Sequence, residues 1–98
     1  MDVEFLDKDL ADAESGGSFP GRYSADIRKA FLKRLQVIRA AIDERDFYSL
    51  KSLHFEKLKG DRSDERSMRL NDQWRLILKI KPGNPKATVM ICGIEDYH

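Results

Sequence analysis

Apolar residues recur at helical spacing in the segment that follows Pro20-Gly21, and this is the clearest periodic pattern in the chain. The residues of this apolar stripe are Ile27, Phe31, Leu35, Ile38 and Ile42. Ser24 stands where the N-cap of a helix is expected, and Asp26 falls in the first turn, where a negative charge is favourable. The pattern predicts a helix over about residues 25–44 that turns its apolar stripe inward.

Shorter segments on either side of this helix carry weaker signals. Residues 3–6 favour a β-strand, and residues 7–14 favour a brief helix that Gly16-Gly17 would end. Residues 46–53 are compatible with one or two further helical turns. The helices are therefore expected in the N-terminal half of the chain.

The period of the pattern changes to two from Phe55 onward, which is typical of β-strands. Residues 55–59 and 66–70 alternate in this way, and a third strand begins at Trp74. Residues 87–94, rich in Val, Ile and Thr, predict a last strand, whose near-continuous apolar content suits a central position in a sheet. One face of the third strand carries Trp74, Leu76, Leu78 and Ile80, so we expect Trp74 to belong to the core.

The register of the hairpin between the second and third strands follows from the same alternation. A two-residue loop of Asn71-Asp72 would place Arg69 opposite Trp74 and so mix polar with apolar faces. A three-residue loop, Asn71-Asp72-Gln73, separates the faces and places Arg69 opposite Arg75. Like charges in directly opposed positions are destabilising. Either acidic neighbours neutralise the two guanidinium groups, or the pair forms a cradle for an anion such as phosphate.

Composition suits one small globular domain, since 41% of the 98 residues are hydrophobic and 36% are charged. Together with the patterns, it predicts a single α+β domain over residues 1–98, in which N-terminal helices pack on an antiparallel-rich, twisted β-sheet. Net charge is only +1, but residues 1–20 carry six acids and one base, whereas residues 22–39 carry six bases and one acid. This asymmetry favours a nucleic acid or an acidic partner, although solvated helix faces are the commoner origin of such runs.

Several classes of protein are disfavoured. No apolar run approaches the roughly 20 residues that cross a bilayer, and the acidic start lacks the regions of a signal peptide, so we expect a cytoplasmic protein without membrane contact. The single cysteine, Cys92, allows neither a disulfide framework nor a thiolate zinc site, and we expect it to be a small core residue. His54 and His98 lie far apart in sequence, and no helix offers paired ligands, so neither a metal site nor a cofactor is expected.

Three motifs carry a resemblance to a known family. They are Leu58-Lys59-Gly60-Asp61, the run from Ser67 to Ile77 and the terminal Asp96-Tyr97-His98, in this order and at characteristic spacing. Together they resemble the HigB branch of the RelE/ParE superfamily of bacterial toxins, over about residues 22–98. The resemblance implies a RelE-like fold and a type II toxin that enters the A site of the 70S ribosome and cuts mRNA. It also implies a HigA-like helix-turn-helix antitoxin as partner, and contact with operator DNA only through that antitoxin.

The resemblance also implies a metal-independent acid–base ribonuclease site at the hairpin and the chain end. Such cleavage needs cations that stabilise the charge on the phosphate, and Arg69 and Arg75 are the candidates. His98 is the candidate acid, because an imidazole exchanges a proton near neutral pH. Asp96 could orient this imidazole or act as the base, and Tyr97 could stack on a base or bind the phosphate. Alternatively, Asp96 and His98 are exposed, interchangeable polar residues on a frayed end.

Further basic residues extend the predicted RNA-binding surface. Lys57, Lys59 and Arg62 either form a phosphate-contacting edge or belong to an ordinary solvated edge strand. Lys57 also lies where related toxins often keep a catalytic lysine or arginine. His54 is a candidate catalytic residue by its neighbourhood in similar sequences, with a surface position as the alternative. The basic side of the predicted helix would bind ribosomal RNA through Arg28, Lys29 and Lys33.

Two other functions remain open from the sequence. A gyrase-poisoning toxin of the ParE type would share the fold, but it would not require paired arginines beside an Asp-Tyr-His end. A catalytically degenerate toxin would act only as the antitoxin's partner and co-repressor, and only an activity measurement separates that case.

Overall fold

The computed structural model describes residues 1–96, which form three helices and a five-stranded sheet. The helices are α1 (Lys8–Glu14), α2 (Ala25–Ala40) and α3 (Arg45–Ser49), with short 3₁₀ turns at Lys51–Leu53 and Gly60–Arg62. The strands are β1 (Asp2–Phe5), β2 (Glu56–Lys57), β3 (Glu65–Arg69), β4 (Trp74–Lys81) and β5 (Thr88–Asp96). Their spatial order is β1-β5-β4-β3-β2, with β1 parallel to β5 and the other pairs antiparallel. The predicted α+β architecture and the central position of the last strand are confirmed.

Helix α2 begins where the sequence predicts, but it ends before the predicted end at about residue 44. The Ser24 side chain accepts a hydrogen bond from the backbone N–H of Ile27 at 3.3 Å and so caps the first turn. The helix stops at Ala40, and Ile42 is 81% exposed, so the prediction that Ile42 continues the apolar stripe is wrong. At this end the ammonium group of Met1 donates to the carbonyls of Ile38, Arg39 and Ala41 at 3.2, 3.0 and 2.7 Å. The positive charge donates hydrogen bonds to carbonyls of the last turn and interacts favourably with the negative end of the helix dipole.

The core fills the space between the helices and one face of the sheet, which we call the covered face. From the helices come Leu10, Ala13, Ile27, Phe31, Leu35, Ile38 and Phe47, and from the strands come Met68, Leu76, Leu78, Val89, Ile91 and Ile94. Trp74 packs at the margin of this cluster and makes an edge contact with the Tyr23 ring at 5.4 Å. The prediction that Trp74 belongs with the apolar face is therefore confirmed.

The β3–β4 hairpin has the predicted register. Met68 pairs with Leu76 and Arg69 with Arg75, as the three-residue loop requires. The Asn71 side chain holds the loop, because its Oδ1 accepts from the backbone N–H groups of Gln73 and Trp74, both at 2.8 Å. Local turn chemistry thus fixes which residues share a face of the sheet.

Strand β5 contains one extra residue. Leu78 pairs with Ile91 and Ile77 with Gly93, which leaves Cys92 as the inserted residue of a β-bulge. Cys92, expected in the core, is only partly buried, although burial still raises the pKa of its thiol. The thiol therefore stays protonated at neutral pH.

Within residues 1–96, no helix is both long and apolar enough to cross a bilayer.

Candidate functional site

The second face of the sheet, which we call the open face, carries polar and charged side chains. Because successive residues of a strand point to opposite faces, the neighbours of the buried Met68, Leu76 and Ile94 point to this side. One cross-strand row contains Arg69, Arg75 and Glu95, and the next contains Ser67, Ile77 and Gly93. Chemistry on the open face is therefore concentrated in adjacent rows of three strands.

His54 joins the two predicted arginines at the edge of this face. Its Nε2 lies 3.3 Å from Nη1 of Arg69, and its backbone carbonyl accepts from Nη1 of Arg75 at 3.2 Å. A guanidinium group offers only donors, so a hydrogen bond to it requires Nε2 of His54 in its acceptor state. One residue thus contacts both cations, through its ring and through its backbone.

The backbone of His54 has an uncommon conformation. Its φ of 46° and ψ of 48° place it in the left-handed region, where it ends the 3₁₀ turn Lys51–Leu53. For a residue other than glycine this conformation costs on the order of 1–3 kcal/mol, and such strain is concentrated at functional sites. In this backbone conformation the His54 carbonyl is directed at Arg75 and the His54 ring lies beside Arg69. His54 was a candidate catalytic residue by its neighbourhood in sequence, and its backbone conformation brings it into contact with both arginines.

The two arginines have different surroundings. Arg69 forms an ion pair with Asp72, whose side chain is 94% exposed, so part of its charge is neutralised at the solvent edge. Arg75 is partly buried and faces Glu95 across the β4–β5 pair. Acidic neighbours are thus present at both arginines, as the first alternative expected, whereas the binding of an anion by the pair stays a prediction.

A third arginine, Arg34, was missed in the sequence analysis. Its Nε donates to the backbone carbonyl of Arg69 at 2.8 Å, which ties helix α2 to the end of β3. Burial first, and the nearby Arg69 charge second, lower the pKa of Arg34. A possible signal in the sequence was its place beside Leu35 on the apolar stripe, where a long basic side chain lies at the border of the core.

The predicted C-terminal catalytic residues are only partly described. Asp96 pairs with Trp74 in the sheet, and its Oδ2 accepts from Nε2 of Gln73 at 3.3 Å. It also lines a shallow depression together with Arg75 and Glu95, which brings it to the border of the arginine row. Tyr97 and His98 lie outside the described residues, so their predicted roles stay predictions.

The predicted lysine edge is separated from the arginine row. Lys57 pairs with Arg66, which in turn pairs with the core residue Leu78, so register assigns Lys57 to the covered side of the edge strand. Lys57 and Lys59 are both exposed, and Lys59 follows the end of β2. The structure therefore does not bring Lys57 together with Arg69 and Arg75.

Arg62, predicted to contact phosphate, is held by two carboxylates. Its Nε donates to Glu65 at 2.6 Å, and its two terminal nitrogens donate to Glu95 at 2.9 and 2.6 Å. These contacts raise its pKa still further. Arg62 therefore spans from β3 to β5 over the open face, and its charge is largely compensated.

The basic residues of α2 lie on the other side of the sheet. Lys29 and Lys33 are exposed and Arg28 is partly buried, on a helix that packs against the covered face. Their predicted RNA contacts would thus form a surface separate from the arginine row. In the described part of the chain, no group of three or more His, Cys, Asp or Glu side chains could hold a metal ion.

Several solved structures share this architecture. A YoeB/ParE toxin from Agrobacterium tumefaciens has 14% identity and a TM-score of 0.64, with 100% of both chains covered. YafQ from E. coli strain BL21(DE3) has 15% identity and a TM-score of 0.54, with 97% of this chain and 91% of YafQ covered. A YoeB-YefM complex from Staphylococcus aureus has 18% identity and a TM-score of 0.53, with 100% and 97% covered. At these identities the likeness concerns the fold.

The family itself is identified by sequence. No curated protein matches the chain. The model of HigB-like toxins, described as RelE-like toxins of the type II toxin-antitoxin system HigB, matches residues 4–95. Since this match spans almost the whole chain and includes the hairpin and His54, the chain belongs to the HigB-like family of RelE-like toxins.

Proposed function

We propose that this protein is a ribosome-dependent mRNA endoribonuclease that inhibits translation as the toxin of a type II toxin-antitoxin system. The observation that supports this most directly is the contact of His54 with both Arg69 and Arg75 on the open face. Cations that stabilise the charge on the phosphate, and a side chain that can transfer a proton, are groups that a phosphodiester cleavage site uses. Membership in the HigB-like family agrees with this chemistry.

The cleavage step can be written for these residues. A base removes the proton from a ribose 2′-hydroxyl, and the oxygen attacks the adjacent phosphorus. The bond from phosphorus to the 5′ oxygen breaks, an acid protonates that oxygen, and a 2′,3′-cyclic phosphate forms. Arg69 and Arg75 donate hydrogen bonds to the phosphate oxygens as negative charge develops on them.

We assign His54 as the candidate base, because its ring lies beside Arg69 and its carbonyl binds Arg75, which holds an imidazole next to the proposed phosphate-binding groups. His98 is the candidate acid, with Asp96 orienting it and Tyr97 contacting the RNA. Lys57 remains a candidate only if the RNA path also crosses the edge of β2. Arg28, Lys29, Lys33 and Lys59 are proposed to bind ribosomal RNA through its backbone charge.

The proposed partners follow from the family. We infer an antitoxin of the HigA type with a helix-turn-helix domain, so that operator DNA is reached only through that protein. The Staphylococcus aureus neighbour is a YoeB-YefM complex. This agrees with our inference that the present chain forms a complex with an antitoxin. The proposed site of action, mRNA in the A site of the 70S ribosome, places the protein in the cytoplasm.

The alternative of a ParE-like gyrase poison is weakened by His54. A protein that acts only by binding gyrase has no need for a strained imidazole beside two guanidinium groups. A degenerate toxin that only binds its antitoxin has no such need either. Activity decides between these possibilities.

The test uses purified ribosomes that carry a defined mRNA. The wild-type protein should cleave the message in the A site, with products mapped by primer extension, whereas Arg75→Ala should lose roughly 10²–10³-fold in rate, as for other lost transition-state donors. His54→Ala and His98→Ala test the two imidazoles in the same assay. Lys81→Ala is the matched control, because Lys81 lies at the other end of β4 and pairs with Glu4. Intact mRNA with altered DNA supercoiling after induction would establish the gyrase alternative instead.

A further inference from the structure

A second feature of the open face extends from the arginine row to the neighbouring row of Ser67 and Ile77. It is a shallow pocket of about 180 Å³, lined by Leu58, Arg62, Ser67, Arg75, Ile77, Glu95 and Asp96. Ser67 and Ile77 lie two residues along their strands from Arg69 and Arg75, which corresponds to about 7 Å. If the arginine row binds a phosphate of an RNA strand, a neighbouring nucleotide of that strand would therefore lie near this pocket.

The hydroxyl of Ser67 is an unusual component of this pocket. Ser67 is 1% exposed, and its Oγ makes no hydrogen bond with any part of the chain that the structure describes. A buried polar group without a partner costs about 1–3 kcal/mol, and such groups are rare. A ligand that enters the pocket and bonds to Ser67 would remove this cost.

The walls of the pocket combine apolar and charged groups. Leu58 and Ile77 supply apolar surface, and Glu95 supplies a carboxylate acceptor at the rim. Arg62 is fixed by Glu65 and Glu95, so its guanidinium plane is already oriented and its net charge is compensated. A fixed, compensated guanidinium suits stacking on a flat ring better than it suits binding a free phosphate.

From these observations we propose that the pocket binds one unstacked nucleobase of the RNA strand whose phosphate lies on Arg69 and Arg75. The base places its ring against Leu58, Ile77 and the Arg62 plane, and its polar edge meets Ser67 Oγ and the Glu95 carboxylate. Single-stranded RNA is recognised in this way, through splayed bases that stack and expose their hydrogen-bonding edges. This inference rests on the proposed function, and it makes the pocket the determinant of base preference beside the cut.

Binding can be measured without cleavage. The full chain, labelled with ¹⁵N, is titrated with trinucleotides that carry 2′-O-methyl groups and so cannot be cut, and with a matched trinucleotide whose middle position is abasic. Amide shifts at Leu58, Ser67 and Ile77 are expected with the complete trinucleotide and not with the abasic one. Equal shifts with both ligands, or no shift at these three residues, overturn the proposal.

Cleavage gives an independent measurement. Ser67→Ala removes one hydrogen bond to the base and should change the base preference at one position beside the cut by roughly fivefold, since such a bond contributes about 1 kcal/mol. Its fold should be kept, because the hydroxyl has no partner to lose. Ser18→Ala, at an exposed loop position, is the control. A cleavage profile of Ser67→Ala that superimposes on the wild-type profile contradicts the proposal.

A second variant adds bulk to the pocket instead of removing a contact. Gly93 pairs with Ile77, and a Cβ at Gly93 would meet no heavy atom within 4 Å, so Gly93→Val should fold. Its branched side chain should narrow the pocket and abolish the trinucleotide-dependent shifts. Unchanged shifts in this variant count against a base at this place. If wild-type protein fails to cleave any message, the ribonuclease proposal fails, whereas the titration still decides whether the pocket binds a base.

Discussion

The two faces of the same sheet differ in what their residues do. On the covered face, Leu76 and Leu78 are fully buried beneath the helices. On the open face, Arg75 of the same strand contacts His54, and Arg69 pairs with Asp72 at the solvent edge. Along β4, residues that stabilise the core therefore alternate with residues that face the candidate site.

This separation explains how the open face can keep unfavourable features. Two guanidinium groups in opposed positions repel each other, and a left-handed His54 is strained. Ser67 adds a buried hydroxyl without a partner in the described residues. Burial of a contiguous apolar core on the covered face provides the free energy that lets these features persist.

The largest effect is expected on the covered face. Phe31→Ala removes a ring that is fully buried in the core and should lower the free energy of unfolding by about 3–5 kcal/mol. Chemical denaturation followed by circular dichroism measures this change. Lys33→Ala, exposed on the same helix, should stay within about 0.5 kcal/mol of wild type. Equal stabilities of the two variants would contradict the division between the faces.

A smaller effect is expected where the two faces meet. Arg34→Ala removes the hydrogen bond from α2 to the Arg69 carbonyl. We expect the cleavage rate to fall about tenfold, which corresponds to an increase of roughly 1.4 kcal/mol in the activation free energy. If Arg34 acts by positioning Arg69, its effect should shrink in an Arg69→Ala background, because coupled residues are not additive. Gln36→Ala, at an exposed position on the same helix, is the control. Full additivity of the Arg34 and Arg69 effects would refute a positioning role.

The smallest effect concerns the strain at His54. His54→Gly should be more stable than His54→Ala by about 1 kcal/mol, since only glycine adopts a positive φ without steric cost. At Ser52, inside the 3₁₀ turn, the order should be reversed, with alanine more stable than glycine by about 0.5–1 kcal/mol. Thermal unfolding of the four variants measures both differences. A His54→Ala variant as stable as or more stable than His54→Gly would mean that His54 is not strained.

The elements that sequence predicted are those that local patterns determine. The start of α2 follows from the Ser24 cap and a regular apolar stripe, and the hairpin register follows from alternation and a loop held by Asn71. The features that sequence missed depend on contacts between distant residues. Helix α2 ends where Met1 binds its last carbonyls, and Arg62 bonds to Glu95, 33 residues further along the chain.

The candidate site shows the same limit. Charge pattern and resemblance pointed to Arg69, Arg75 and His54, but the contact of His54 with both arginines depends on its backbone conformation. Arg34 lies at the border of the apolar stripe, but its bond to the Arg69 carbonyl joins residues 35 positions apart, which the helix pattern alone does not show. Lys57 falls on the covered side because of its pairing with Arg66, which no single strand reveals.

The inserted Cys92 has a consequence for residues 93–96 of strand β5. Up to Ile91, odd-numbered residues of β5 point into the protein, whereas beyond the insertion the even-numbered Ile94 does so. One inserted residue therefore changes whether the odd-numbered or the even-numbered residues of the strand face the interior. Without it, Glu95 would be directed at the apolar interior and Ile94 at the charged side, so a single insertion decides which side chains of residues 93–96 face the interior.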